Sequence, residues 1–176
     1  MGDELIVADY IFNYLADYGV KHVFLVVGGG AMYLNNALKK EKRIKYVCCH
    51  HEQACAMAAE GYARTSGKLG VVCITSGPGG TNTLTGVIGQ WLDSVPVLYL
   101  SGQVKQETIK TGNLRQLGDQ EIGIIDIVKS VTKYSKMITN PEDIKIELPR
   151  AIRIAITERP GPVWIDLPLN IQKVEI

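Results

Sequence analysis

Apolar and polar positions fall into blocks of two periodicities. A 3.6-residue stripe of Leu5, Ala8, Phe12 and Leu15 predicts a first helix, capped by Asp3 and ended by Gly19. The apolar run 22–27 predicts a buried strand. Three glycines follow it, then a helix over 31–40. A second strand spans 44–49, and a helix from Glu52 runs to about Ser66, where Gly67 breaks it. The third strand, 69–75, is ended by the turn SGPGG and followed by a helix over 81–92 and a fourth strand over 96–100. The polar stretch 102–119 shows neither period; unstructured loops of that length usually carry function or move. Beyond it come a short helix near 122–128 and a fifth strand over 131–138. Asn140-Pro141-Glu142-Asp143 reads as a helix start: a cap, a proline in the first turn and two acids near the positive end of the dipole. Pro149 is expected to kink or split that helix, and 163–167 is the sixth strand.

Six strands separated by helices predict a three-layer α/β/α fold with a six-stranded parallel sheet covered on both faces. The length of 176 residues favours one domain over 1–176, and no repeat, low-complexity tract or linker divides it. Ligands of such sheets gather beyond the carboxyl ends of the strands. Three features fall there: Gly28-Gly29-Gly30 after strand one, His50-His51-Glu52 after strand two, and Gly77-Pro78-Gly79-Gly80 after strand three.

Composition narrows the class. The formal net charge is +1 and no basic face is evident, which argues against nucleic acid or an anionic membrane as partner. The longest apolar run, 23–34, contains three glycines and is too short to span a bilayer. The start MGDELIVADY lacks the basic region of a signal peptide, and Ile6 stands where a myristoylation site needs Ser or Thr. The four cysteines, 48, 49, 55 and 73, fall in expected core elements, so reduced thiols and a cytoplasmic chain are expected.

The candidate chemistry sits at the strand ends. CCHHEQAC has zinc-ligand residue types, but consecutive strand side chains point to opposite faces and do not converge, so no metal site is expected. VVGGGAMY sets Gly28 and Gly30 between a strand and a helix, with Glu52 about 20 residues on, as in a dinucleotide fold; Tyr33 occupies the position where close packing wants a third glycine. SGPGGTN presents backbone N–H groups at a helix start without the Lys-Ser/Thr of a P-loop. Glu52 alone fits an ordinary first-turn acid. Between two glycine turns, the same carboxylate is a seat for a polar heterocycle. Two readings therefore stand: a non-catalytic nucleotide-binding module using Gly28, Gly30 and Glu52, and a heterocycle site at Glu52.

HHEQACAMAAEGYAR, TSGPGGTNTLTGV, DSVPVLYLSGQV, VTKYSKMI and RPGPVWIDLP, in that order, resemble the pyrimidine-binding (PYR) domain of thiamine-diphosphate enzymes, in the acetolactate synthase-like branch. The resemblance covers essentially the whole chain. It implies that Glu52 is the catalytic glutamate, hydrogen-bonding N1′ of the aminopyrimidine, in an enzyme that decarboxylates a 2-oxo acid and can join the product to a second carbonyl. It further implies that Thr75, Pro78, Gly79, Asn82 and Gln120 line the cofactor, while Gly28, Gly29, Gly30 and His51 lie on the substrate side, His51 as an orienting residue. The diphosphate and Mg2+ belong, by the same resemblance, to a second domain absent from this chain; FAD enters through a central domain, also absent. The expected partners are a 2-oxo acid and either further copies of the chain, as a dimer or tetramer, or a diphosphate-binding subunit. A split enzyme like sulfopyruvate decarboxylase, with an α subunit of this length, is the alternative arrangement. Gly118-Asp119-Gln120 with Asn140 imitates the family's metal motif but lacks its third glycine. VVGGGA replaces the usual G-x-P-G-G, and Asp119 replaces the usual Phe before Gln-Glu, so cofactor and reaction type carry over further than the substrates.

Overall fold

A computed structural model describes residues 5–176; Asp3, the expected first cap, lies outside the described residues. The first helix, α1 (Val7–Tyr18), buries Val7, Ala8, Ile11, Phe12, Leu15 and Ala16. It closes on Gly19, whose φ of 101° is a left-handed conformation suited to glycine. The chain then alternates: β1 (His22–Leu25), α2 (Met32–Lys40), β2 (Lys45–Cys48), α3 (Glu52–Ser66), β3 (Gly70–Ile74), α4 (Pro78–Thr81), α5 (Leu84–Asp93) and β4 (Val97–Gln103). It continues through α6 (Ile124–Val128), β5 (Tyr134–Met137), α7 (Ile144–Ile156), β6 (Val163–Pro168) and α8 (Leu169–Gln172).

The six strands form one sheet in the order β2-β1-β3-β4-β6-β5, every neighbouring pair parallel. Period-two alternation divides its core in two. Val71, Cys73, Leu98, Leu100, Val163, Ile165 and Leu167 face one layer with α1, α2 and α7. Val72, Ile74, Val97, Tyr99 and Trp164 face the other, with α3, α5 and α6. The expected three-layer α/β/α fold is thus the one observed. From β1 the chain crosses first to β2 on one side and later to β3 on the other. That reversal opens a crevice above the carboxyl ends of β1 and β3, the usual ligand position in such sheets.

Several expectations need correction. Not all four cysteines are core residues: Cys55 and Cys73 are buried, but Cys48 is exposed and Cys49 only half-buried. The reason is that β2 is an edge strand, and all its residues are exposed. Pro149 does not split its helix. α7 continues across it, because Ile144, Leu148, Ala151, Ile152 and Ala155 bury one continuous face, and tertiary burial outweighs one lost backbone hydrogen bond. The helix expected over 81–92 is α5, starting at Leu84, the short α4 forms in the preceding glycine turn, and β4 runs on to Gln103.

That extension of β4 creates a buried polar cluster. Ser101 donates to Asp166 Oδ1 (2.5 Å) and accepts from Trp164 Nε1 (2.7 Å), while Gln103 Nε2 donates to Asp166 Oδ2 (3.1 Å) and to the Ile122 carbonyl (3.0 Å). Burial lifts the Asp166 carboxyl to about 7, although hydrogen bonds from Ser101, Gln103 and the Leu167 backbone oppose the shift. Because the folded value lies above the unfolded one, folding favours the protonated acid. The stabilisation is complete at acid pH and is lost as pH rises toward about 7. Between pH 5.5 and 7.5 the wild type is expected to lose roughly 2 kcal/mol relative to Asp166→Asn, since each tenfold difference in proton affinity between folded and unfolded chain is worth about 1.4 kcal/mol. Denaturant titrations of both proteins at the two pH values measure this; a pH-independent difference would contradict it.

Candidate active site

Glu52 is the first residue of α3. β2 ends just before it, and His51 caps the helix in an extended conformation (φ −156°, ψ 143°), its ring Nδ1 accepting the Gln53 N–H at 3.1 Å. The alanine content of α3 has a packing cause. Its buried face, Cys55, Ala56, Ala59 and Ala63, lies so close to its neighbours that two of them must be glycine. A Cβ on Gly70 of β3 would come 2.6 Å from the Ala59 carbonyl oxygen, and one on Gly86 of α5 would come 2.5 Å from the Ala56 Cβ. α3 is thereby locked between sheet and α5, and its first residue is fixed at the crevice.

The turn after β3 supplies the opposite wall. Gly77 has φ +61° and ψ −126°, open to glycine alone, and a Cβ there would strike the Gln120 carbonyl oxygen at 2.5 Å. Pro78 starts α4, and Asn82 ends it. Asn82 Nδ2 donates to Glu52 Oε2 at 3.0 Å. The other oxygen, Oε1, lies beside bare backbone: a Cβ on Gly79 would sit 3.7 Å from it.

Thr75 is the post between the two glycine turns. Its Oγ1 accepts the Gly30 N–H at 3.0 Å. Its methyl fills the space a Gly79 Cβ would need (2.7 Å), and its Cβ stands 2.5 Å from where a Gly28 Cβ would be. A β-branched residue with one hydroxyl and one methyl serves both contacts at once. Gln172 holds the glycine turn from beneath: Nε2 donates to the carbonyls of Gly30 (2.7 Å) and Leu167 (2.8 Å), and Oε1 accepts the Leu34 N–H (3.4 Å).

The structure therefore brings together Glu52, Asn82, Gly79, Thr75, Gly28 and Gly30, with Gln120 against Gly77 at the edge and Pro78 exposed on the rim. His51 Nδ1 accepts the Gln53 N–H at the start of α3, next to Glu52. Gly29 has open space where a Cβ would be. Four N–H groups that the phosphate-cradle and dinucleotide readings could use are already paired within the chain. Gly30 N–H is bound to Thr75, Gly79 N–H to the Ser76 carbonyl (3.2 Å), and Gly80 and Thr81 N–H to the Gly77 carbonyl (3.0 and 3.2 Å). Among the described residues no three His, Cys, Asp or Glu side chains gather as a metal site. Asn140, part of the metal-motif imitation, accepts the Glu142 N–H instead (3.4 Å). Sequence reasoning missed Gln172, a lone glutamine after a strand that meets its partners only in three dimensions. It also missed Gly102, whose absent Cβ admits the Gly30 main chain.

A carboxylate with one oxygen fixed by an amide and the other beside bare glycine suits a flat, nitrogen-bearing ring laid against backbone. Known proteins similar to this chain agree with that chemistry. The family described as "Thiamine pyrophosphate enzyme, N-terminal TPP binding domain" matches residues 6–122. The acetolactate synthase large subunit of Buchnera aphidicola subsp. Schizaphis graminum is 39% identical over 166 residues, covering 94% of this chain and 28% of the relative. The chloroplastic acetolactate synthase of Arabidopsis thaliana is 40% identical over 166 residues, covering 94% and 24%. The acetolactate synthase isozyme 3 large subunit of Escherichia coli K12 is 40% identical over 164 residues, covering 93% and 28%. The chain thus spans 24–28% of the length of these relatives. With a match over residues 6–122 and that level of identity, the chain belongs to the thiamine pyrophosphate enzymes and carries their N-terminal, cofactor-binding domain.

Proposed function

We propose that this chain is the pyrimidine-binding half of a thiamine-diphosphate-dependent 2-oxo acid decarboxylase or carboligase of the acetolactate synthase type, folded as one PYR-type domain over 1–176. The observation that carries the reading is the Glu52 carboxylate, bonded to Asn82 through one oxygen and set beside the bare Gly79 backbone with the other. Glu52 is the catalytic residue: it shares a proton with a ring nitrogen of the cofactor's aminopyrimidine. Asn82 orients it, and Thr75, Pro78, Gly79 and Gln120 form the wall against which the ring lies. Gly28 to Gly30 border the substrate side, and His51 fixes the turn that presents Glu52. When bound, the cofactor supplies the carbanion chemistry of decarboxylation and carbon–carbon bond formation; the protein supplies position and proton affinity.

The aligned part is 24–28% of the matched relatives, which supports placing the diphosphate and Mg2+ on another domain or subunit and FAD, where used, on a third. Completing the site then takes a diphosphate-binding domain, supplied by a further copy in a dimer or tetramer or by a separate subunit, in an enzyme acting on a 2-oxo acid. The enzyme containing this chain is expected to release CO2 from a 2-oxo acid only when thiamine diphosphate and Mg2+ are present; absence of such release across a panel of 2-oxo acids would overturn the reading. Calorimetry on the chain alone is expected to show thiamine diphosphate binding no tighter than about 1 mM, equivalent to ~4 kcal/mol, with no Mg2+ dependence. Tight Mg2+-dependent binding would place the diphosphate site here.

A further inference from the structure

The segment 104–123, between β4 and α6, holds two residues that its surface position does not explain. Gln120 has φ +56°, a left-handed conformation that a non-glycine residue keeps only where its surroundings impose it. Glu121, the next residue, is an acid only 6% exposed, and a buried acid needs partners. Its Oε2 accepts the Leu117 N–H at 2.9 Å, and its own N–H reaches the Gly118 carbonyl at 3.3 Å. The two bonds close a turn over 117–121 around Gln120. Gln103 Nε2 holds the chain just beyond, at the Ile122 carbonyl (3.0 Å). Burial by itself would raise the Glu121 carboxyl, but main-chain donors of the loop, Leu117 first among them, and the charge of Lys110 bring it below the usual carboxylate range. It therefore accepts as an ionised group, which strengthens the bond.

The turn abuts the candidate site. A Cβ on Gly77 would stand 2.5 Å from the Gln120 carbonyl oxygen and 2.9 Å from its Cβ, so residue 120 lies directly against the glycine turn that opens α4. One on Gly80 of α4 would stand 3.0 Å from Ile124 Cδ1. α4 ends at Asn82, which bonds Glu52. Gln120 is exposed at this edge, whereas Glu121 is buried and its carboxylate bonds its own loop. Taking Gln120 as part of the cofactor wall, we propose that Glu121 is a positioning residue: its carboxylate closes the 117–121 turn and holds Gln120 in the left-handed conformation that seats it against Gly77. Glu121 acts on the cofactor only through Gln120. Without the acceptor, the Leu117 N–H loses its partner and the turn opens. Gln120 then relaxes toward an ordinary backbone conformation and carries its side chain away from the ring.

The test uses the complete enzyme with Mg2+: calorimetry gives the Kd for thiamine diphosphate, and turnover at saturating cofactor gives kcat. Glu121→Ala is expected to raise Kd about tenfold, the loss of roughly one hydrogen-bonded contact. At saturating cofactor kcat should change by less than about threefold, since Glu52 and Asn82 are intact. Glu121→Gln, whose amide oxygen can still take the Leu117 N–H, is expected to bring Kd back to within about threefold of the wild type. Gln120→Ala alone should raise Kd by about the same factor as Glu121→Ala, and adding Glu121→Ala to it should change Kd by less than about twofold, because the side chain being positioned is gone. Should Glu121→Ala fail to fold, Glu121→Asp, which withdraws the acceptor by one methylene, decides in its place through the same pair of backgrounds. An unchanged Kd with only Tm or kcat lowered would make Glu121 merely structural and overturn the proposal, as would two factors that multiply in the double variant. Gln120→Ala with an unchanged Kd would instead remove Gln120 from the cofactor wall, and the role of Glu121 would fall with it.

Discussion

Glu52→Gln, made in the complete enzyme, is expected to lower kcat by at least about 10²-fold, the range for losing a positioned acid–base group. The substitution keeps the size of the side chain and an oxygen for Asn82 to bond, so the loss is of proton sharing, not of shape. The fold should scarcely change. Glu52 is only part-buried and begins a helix, where an acid contributes about 0.3–1 kcal/mol through the helix dipole. A kcat near that of the wild type, or a collapse in Tm that accounts for the lost activity, would reject the assigned role. Glu52→Asp separates the two requirements, since it retains the ionisable group and shortens its reach away from Gly79; an intermediate kcat is expected, and one as low as Glu52→Gln would show that reach matters as much as proton sharing.

The sheet was legible because burial on both faces leaves continuous apolar runs such as 69–75, with helices between them. The site was legible as far as strand ends: the rule that ligands gather there points to Gly28, Glu52 and Gly77 from the sequence alone. What stayed hidden depends on neighbours far along the chain. β2 reads like any other strand, yet being at the edge exposes Tyr46, Val47 and Cys48, and only the sheet order shows that. Pro149 breaks the local rule, and α7 persists because five residues of one face are buried against the rest of the fold. Gln172 carries no local signal at all, although it supports the Gly30 carbonyl from 142 residues away. His51 was expected from the resemblance as an orienting residue, while its role as the cap of α3 follows from the hydrogen bond with Gln53.

Gly102→Ala tests how the glycine turn is seated. In β4, an added Cβ would stand 2.0 Å from the Gly30 carbonyl oxygen, 2.3 Å from its carbonyl carbon and 2.6 Å from the Ala31 nitrogen. All three are main-chain atoms. They are tied to Thr75 and Gln172, so neither a rotamer change nor a small local shift relieves the clash. The cost is expected to exceed the usual overpacking range, at more than about 3 kcal/mol. For a chain this long that corresponds to a fall in Tm of roughly 10 °C or more. Gly29→Ala is the matched control within the same turn, because a Cβ there meets nothing within 4 Å. It is expected to stay within about 1 kcal/mol of the wild type, with a shift of a few degrees at most. Thermal unfolding of the three proteins followed by circular dichroism decides the matter. If Gly102→Ala melted with the wild type, the close approach of β4 to the glycine turn, and with it the rigid wall facing Glu52, would have to be abandoned.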